Sequence, residues 1–153
     1  MTAGRVPCGR DDFEREGTGT LHGMTATLTE DVQSLLRKPL MAHVATVMGD
    51  GTPQSTPVWI DTDGTDVLFN TAKGRVKHRN LLRNPAVAIS FVDDENPYRM
   101  IEIRGVAEMT EEGADAHIDA MAKKYLDQDS YPFRQPGEER IIVRVHPTAV
   151  AGV

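Results

Sequence analysis

Residues 42–72 read AHVATVMGDGTPQSTPVWIDTDGTDVLFNTA, and this stretch decides the fold. Two apolar, β-branched runs meet at Gly49-Asp50-Gly51, and a second turn falls at Asp61 to Gly64. Short β-rich runs separated by glycine and aspartate turns specify a meander of three strands, roughly Ala42–Val47, Gln54–Ile60 and Val67–Asn70. Pro57 has no N–H to give to a ladder, so the middle strand is at an edge there or bulged. Val58 and Trp59 point to opposite faces of that strand. Trp59 is the only tryptophan, and it is a candidate for the barrel core, a subunit interface or ring contact with a ligand.

Working outward, TLTEDVQSLLRKP before this stretch reads as a short helix, with Thr27 and Glu30 at capping-box spacing and Pro39 as a stop. After it, TAKGRVKHRNLLRNP (71–85) reads as a second short helix, opened by Gly74 and ended by Asn84-Pro85. AVAISFVDD is a fourth strand. YRMIEIRGVAEMT is a fifth, with Met100, Glu102 and Arg104 on one face and Ile101 and Ile103 on the other. EEGADAHIDAMAKKYLDQD carries Ala114, Ile118, Met121, Ala122 and Tyr125 at helical spacing, and RIIVRVHP alternates as a sixth strand. Six strands in meander order with few long crossovers favour a closed antiparallel barrel, mainly β with helices.

The chain has 153 residues, enough for one domain. Residues 1–23, rich in charge and glycine with Phe13 as the lone aromatic, are expected to be a disordered leader, and 24–153 the folded domain. Met24 could serve as an alternative start. The single cysteine, Cys8, lies in the leader and permits no intrachain disulfide. No apolar run approaches the roughly 18 residues of a membrane span, and no secretory signal is evident, so a cytoplasmic location is expected.

The usual catalytic apparatus is missing. His22, His43, His78, His117 and His146 are scattered, no pair has metal-ligand spacing, and no metal is expected. There is no Gly-x-Ser-x-Gly elbow and no Walker A loop. Any chemistry is therefore expected to be carried by a cofactor.

Residues 71–85 say what kind. Lys73, Arg75, Lys77, His78, Arg79 and Arg83 crowd one short segment of a chain whose net charge is -6. Cations in the first turn of a helix are disfavoured by the dipole, by roughly 0.3–1 kcal/mol each. A negative group nearby reverses that sign. Leu81, Leu82 and His78 share the side expected to be buried, and Arg79 and Arg83 face solvent or a partner. Free amides at the helix start, Gly74 and the small Ala72 gather at one corner, where a phosphate held by Arg75, Lys77 and the Thr71 hydroxyl would fit. A solvated basic helix is the plain alternative. A nucleic-acid surface is disfavoured by the acidic remainder and 5% aromatic content.

Three pieces in order, PVW on the second strand, GRVKHRNLLRNP on the basic helix and NPYRMIEIRG entering the fifth strand, carry a resemblance. From about Thr25 to Pro147 the chain resembles the split-β-barrel flavin and deazaflavin oxidoreductases, the pyridoxamine-5'-phosphate-oxidase-like superfamily. Within it the chain is most similar to the actinobacterial branch that uses the deazaflavin F420. The resemblance implies a six-stranded split barrel of the FMN-binding type and a homodimer with two cofactor sites in clefts at the subunit interface. It implies the cofactor phosphate at Arg75 and Lys77, with Lys73 nearby. The ring is implied against Gln54, Ser55, Thr56, Pro57 and Val58, with Asn70, Thr71 and Ala72 at its rim. The expected function is F420-dependent hydride transfer with a small unsaturated organic substrate. The alternatives are an FMN oxidoreductase of the same fold and a non-catalytic binder of a flavin or tetrapyrrole. The C-terminal substrate segment of pyridoxamine phosphate oxidase proper has no counterpart before VHPTAVAGV, so vitamin B6 oxidation is not expected. The pocket wall is expected from loops Asp93 to Arg99 and Gln128 to Gly137, where Tyr98, Arg99, Tyr131 and Arg134 face the cleft or pack at the interface.

Overall fold

A computed structural model describes residues 25–152, and the leader expected at 1–23 lies outside them. Six strands close into an antiparallel barrel: β1 (Met41–Val47), β2 (Pro53–Thr62), β3 (Val67–Ala72), β4 (Ala86–Val92), β5 (Met100–Thr110) and β6 (Arg140–Gly152). Three helices accompany them: α1 (Glu30–Arg37), α2 (Val76–Arg83) and α3 (Ala114–Leu126). The fold class read from the sequence is the one observed.

The strand order differs from a single meander. Around the barrel it runs β1-β2-β3-β6-β5-β4, so two three-stranded meanders close on each other through β3–β6 and β1–β4. Helix α2 makes the difference, because it carries the chain from β3 to a strand beside β1. β6 is also longer than its apolar run predicts. It continues past Pro147 because the register against β5 shifts at Arg104/Gly105, letting Gly105 oppose Pro147. A Cβ on Gly105 would lie 2.3 Å from the His146 carbonyl oxygen, so only glycine fits this bulge.

Inside, alternate residues of all six strands meet, with Val44, Ile60, Phe69, Ile89, Ile103 and Val143 completely buried. Leu28, Leu35 and Leu36 are buried in the same core. The N-cap of α1 is Thr29, whose Oγ1 accepts from the Val32 amide at 3.3 Å, two residues beyond the expected Thr27. In α2 the expected buried face is also corrected: His78, Asn80 and Leu81 are buried and Leu82 is 67% exposed. Leu81 and Leu82 are separated by about 100° on the helix, so both cannot face the barrel. Asn80 takes the inward position because Thr46 Oγ1 and Met48 Sδ accept from its amide at 3.0 and 3.3 Å.

Candidate cofactor cleft

The barrel is split at one place. β2 pairs with β1 from Pro53 to Trp59, but with β3 only from Ile60 to Thr62. Continuing the β2–β3 register would set Trp59 against Asn70, Val58 against Thr71 and Pro57 against Ala72, and those pairs do not form. On its other edge β3 stays paired to its end, with Asn70–Ala72 against Arg140–Ile142 of β6. The two segments expected to frame a ring therefore form the two lips of a cleft.

Backbone parity explains the role of Pro57. The N–H and C=O of one residue point to the same side of an antiparallel strand, and neighbours alternate. The Ile60 N–H donates to Tyr125 Oη at 2.9 Å, and Tyr125 Oη donates to the Leu40 carbonyl at 2.6 Å, on the β1 side. Val58 shares that side, so Pro57 and Trp59 turn their backbone groups toward the split. Proline there leaves no orphan N–H at the open edge. The edge expected from the sequence is the edge observed.

The cleft is lined by Met41, Pro57, Val58, Trp59 and Asn70 from the strands, and by Arg75 and Lys77 from the start of α2. Ile118 of α3, Tyr131, Phe133 and Arg140 complete it. Within one chain it is an open cleft of about 170 Å³. One wall is aromatic. Trp59 stacks on Tyr125 with centroids 5.0 Å apart, Tyr131 meets Trp59 edge-on at 6.0 Å, and Phe133 meets Tyr131 edge-on at 5.7 Å.

The adjoining part of the lining is cationic. Gly74 adopts φ +82°, and its N–H donates to His78 Nδ1 at 3.1 Å, which turns the chain sharply from β3 into α2. Arg75 is the N-cap and no side chain caps the helix, so the first-turn amides remain available to an anion. Lys77 forms no ion pair among the described residues. Its pKa is lowered, first by burial and then by the charges of Arg75 and Arg140. Arg140 has a side chain only 2% exposed, donates from Nε to Asn70 Oδ1 at 2.8 Å and pairs with Glu138 at 2.6 Å. Its guanidinium lies 5.1 Å from the centre of the Tyr131 ring.

Of the expected site residues, Pro57, Val58, Asn70, Arg75 and Lys77 come together in this cleft. Asn70 is fully engaged: its Nδ2 donates to the Ala114 carbonyl at 2.9 Å and to His117 Nδ1 at 3.1 Å, while its Oδ1 accepts from Arg140. It positions Arg140. Gln54 and Thr56 share the inward face with Val58; Gln54 Oε1 accepts from Thr46, and Thr56 Oγ1 is buried without a partner. Ser55 is exposed on the other face. Thr71 is buried with Phe69, its Oγ1 also without a partner, and Ala72 is buried beside it. Lys73 turns away to Glu111 at 2.6 Å and Glu139 at 3.2 Å. Loop 128–137 supplies Tyr131 as expected and Phe133 besides, while its Arg134 pairs with Asp115 and Asp119 of α3. Tyr98 and Arg99 lie elsewhere in one chain, Arg99 pairing with Asp31 and Asp93.

Sequence reasoning missed Arg140, Met41, Ile118 and Phe133. Arg140 alone left a signal, as a charged residue that begins an otherwise apolar alternation.

A closed six-stranded barrel split along one strand edge, with a cationic corner beside the split, places the chain in the split-barrel class. Residues 28–153 match the family model described as pyridoxamine 5'-phosphate oxidase, and the chain belongs to that family, whose fold is that of flavin-binding oxidoreductases. Among solved structures it is similar to one described as an F420 reductase, at 38% identity and TM-score 0.69, covering 78% of this chain and 94% of that one. A putative pyridoxamine 5'-phosphate oxidase from Listeria innocua shares the fold at 19% identity and TM-score 0.63, covering 80% and 95%. So does a conserved hypothetical protein from Mycobacterium tuberculosis at 21% and 0.67, covering 88% and 89%. No curated protein matches the chain. Among the described residues no cluster suited to a metal ion is found, and no helix is long and apolar enough to cross a membrane.

Proposed function

We propose that this chain is an F420-dependent oxidoreductase that moves a hydride between the deazaflavin and a small unsaturated organic substrate. The carrying observation is the cleft itself, in which an unpaired strand edge and a cationic corner face the same space. The 38% identity to a structure described as an F420 reductase supports the choice of cofactor. The deazaflavin supplies two-electron chemistry at a ring carbon when bound, so no side-chain nucleophile is required.

The residues present suit such a group. Arg75, Lys77 and the first-turn amides of α2 bind the phosphate. The outward backbone groups of Pro57 and Trp59 meet the polar edge of the ring, and Val58 and Ile118 support its face. Tyr131 and Phe133 exclude water from the aromatic side. A homodimer with the clefts at its interface belongs to the same proposal. FMN is the second reading, because the family's fold is flavin-binding and the phosphate corner serves either cofactor.

The test is equilibrium binding of F420 and FMN side by side, followed by their fluorescence, with wild type and the Arg75→Ala/Lys77→Ala double variant. F420 is expected to bind more tightly than FMN. Each lost cation is expected to cost roughly 1.5–3 kcal/mol, the scale of a hydrogen bond to a charged group. Unchanged affinity in the double variant refutes the phosphate assignment, and tighter FMN binding selects the second reading.

A further inference from the structure

One carboxylate behind the cationic lining of the cleft has no place in the scheme above. The Glu138 side chain is only 8% exposed, and its two oxygens reach two different guanidiniums: Oε1 lies 2.6 Å from Arg140 and Oε2 lies 3.4 Å from Arg75. It sits on the turn before β6, where Gly137 adopts φ +73° and the Glu138 N–H donates to the Gln135 carbonyl at 3.1 Å. This turn follows the segment that brings Tyr131 and Phe133 to the aromatic wall. Arg140 is held independently by Asn70 and Tyr131, whereas the Arg75 side chain is half exposed and has no other ion pair among the described residues. The contact to Arg75 is therefore the weaker of the two and the one that can be exchanged.

We infer that Glu138 is a built-in counter-anion. It holds Arg75 toward Arg140 in the empty cleft and competes with the phosphate of an incoming ligand for Arg75. The inference rests on the reading of Arg75 and Lys77 as the phosphate site. A carboxylate in that position does two things. It neutralises one of three clustered cations, Arg75, Lys77 and Arg140, which stabilises the ligand-free protein. It also raises the threshold for any anion that binds there, so weakly charged small anions are rejected while a ligand with further contacts along the cleft is not. Glu138 is thus a specificity-determining residue acting through Arg75.

The experiment is isothermal titration of inorganic pyrophosphate and of F420 into wild type, Glu138→Gln, Arg75→Ala/Lys77→Ala and the Glu138→Gln/Arg75→Ala combination. Trp59, the only tryptophan and part of the cleft wall, reports whether each variant keeps its fold. Glu138→Gln is expected to bind pyrophosphate about tenfold more tightly, the scale of removing one like charge a few ångströms from an anion. Its melting temperature without ligand is expected to fall, and the gain in affinity is expected to vanish once Arg75 is also removed. A residue with only a structural role would lose affinity along with stability. Unchanged or weaker pyrophosphate binding in a folded Glu138→Gln variant overturns the inference while the phosphate site stands. Unchanged binding in Arg75→Ala/Lys77→Ala overturns both. If Glu138→Gln does not fold, Glu138→Asp takes its place, because it keeps the charge and retracts it by one methylene. It is then expected to bind severalfold more tightly, and no gain refutes the inference.

Discussion

His117 and His146 carry opposite pH signatures. The proton of neutral His117 sits on Nε2, because Nδ1 accepts from Asn70, and Nε2 is buried without a partner. Burial, with the charges of Lys124 and Arg140, lowers its pKa against a smaller opposing effect of Asp61. The unfolded chain takes up this proton near pH 6.5 and the folded chain only at lower pH, so stability is lost as pH falls below 6.5. His146 is held between Glu108 at 3.1 Å and Asp66 at 3.0 Å, and its pKa is raised. Its stabilisation is complete below pH 6.5 and is lost as pH rises through the raised value. His117→Asn keeps an acceptor for Asn70 and should flatten the acid-side decline in urea midpoint. His146→Gln should flatten the decline on the alkaline side. An unaltered acid-side slope in His117→Asn would show that another group governs it. At this scale the sequence made the basic corner legible, since charge density at 71–85 is a local property. It concealed Arg140, which reaches the cleft only because Ala72 pairs with it across β3–β6. It also concealed Glu138, whose meaning depends on both arginines.

Two elements are fastened in ways that single substitutions can probe. Tyr125 projects from α3 into the gap where the β1–β2 ladder opens, and its hydroxyl bonds both the Leu40 carbonyl and the Ile60 N–H. Burial pushes its pKa up to about 12, so it remains a protonated donor. Tyr125→Phe keeps the stack on Trp59 but leaves a buried strand N–H unmade, and should cost about 1–3 kcal/mol in chemical denaturation. A loss well below that range would mean water replaces the hydroxyl. Gly105→Ala places a methyl against the β6 backbone and should cost about 1–3 kcal/mol or more from overpacking. Secondary structure was legible here because both periodicities are clean: the two faces of β5 and the buried row Ala114, Ile118, Met121 and Ala122 of α3 fall where the pattern puts them. The length of β6 and the β3–β6 neighbourhood were not. The run ending at Pro147 carries no local mark of the register shift that extends β6, nor of a partner seventy residues away.

For the whole molecule, the remaining proposal is the dimer, and the outer surface supplies its argument. Val92 pairs with Met100 across β4–β5, and continuing the β1–β4 register from His43↔Ser90 sets Met41 opposite Val92. Met41 in turn pairs with Trp59 at the lip of the cleft. Cross-strand partners share a face, so Met41, Val92 and Met100 form an exposed apolar row that starts at the cleft. Tyr98 stands exposed just before β5, near the far end of that row. Rows of this kind on an otherwise charged surface mark association sites, and self-association through one patch gives a two-fold dimer. Such an interface would bring a second chain against Met41 and complete the open side of the cleft, where one chain supplies no wall. The wild type is therefore expected to sediment as a dimer. A Met41→Glu/Met100→Glu variant is expected to sediment as a folded monomer, with cofactor affinity reduced about tenfold or more, since every cleft then loses its second wall. Wild-type protein that sediments as a monomer and still binds F420 would place the whole cofactor site within one chain and remove the dimer from the proposal.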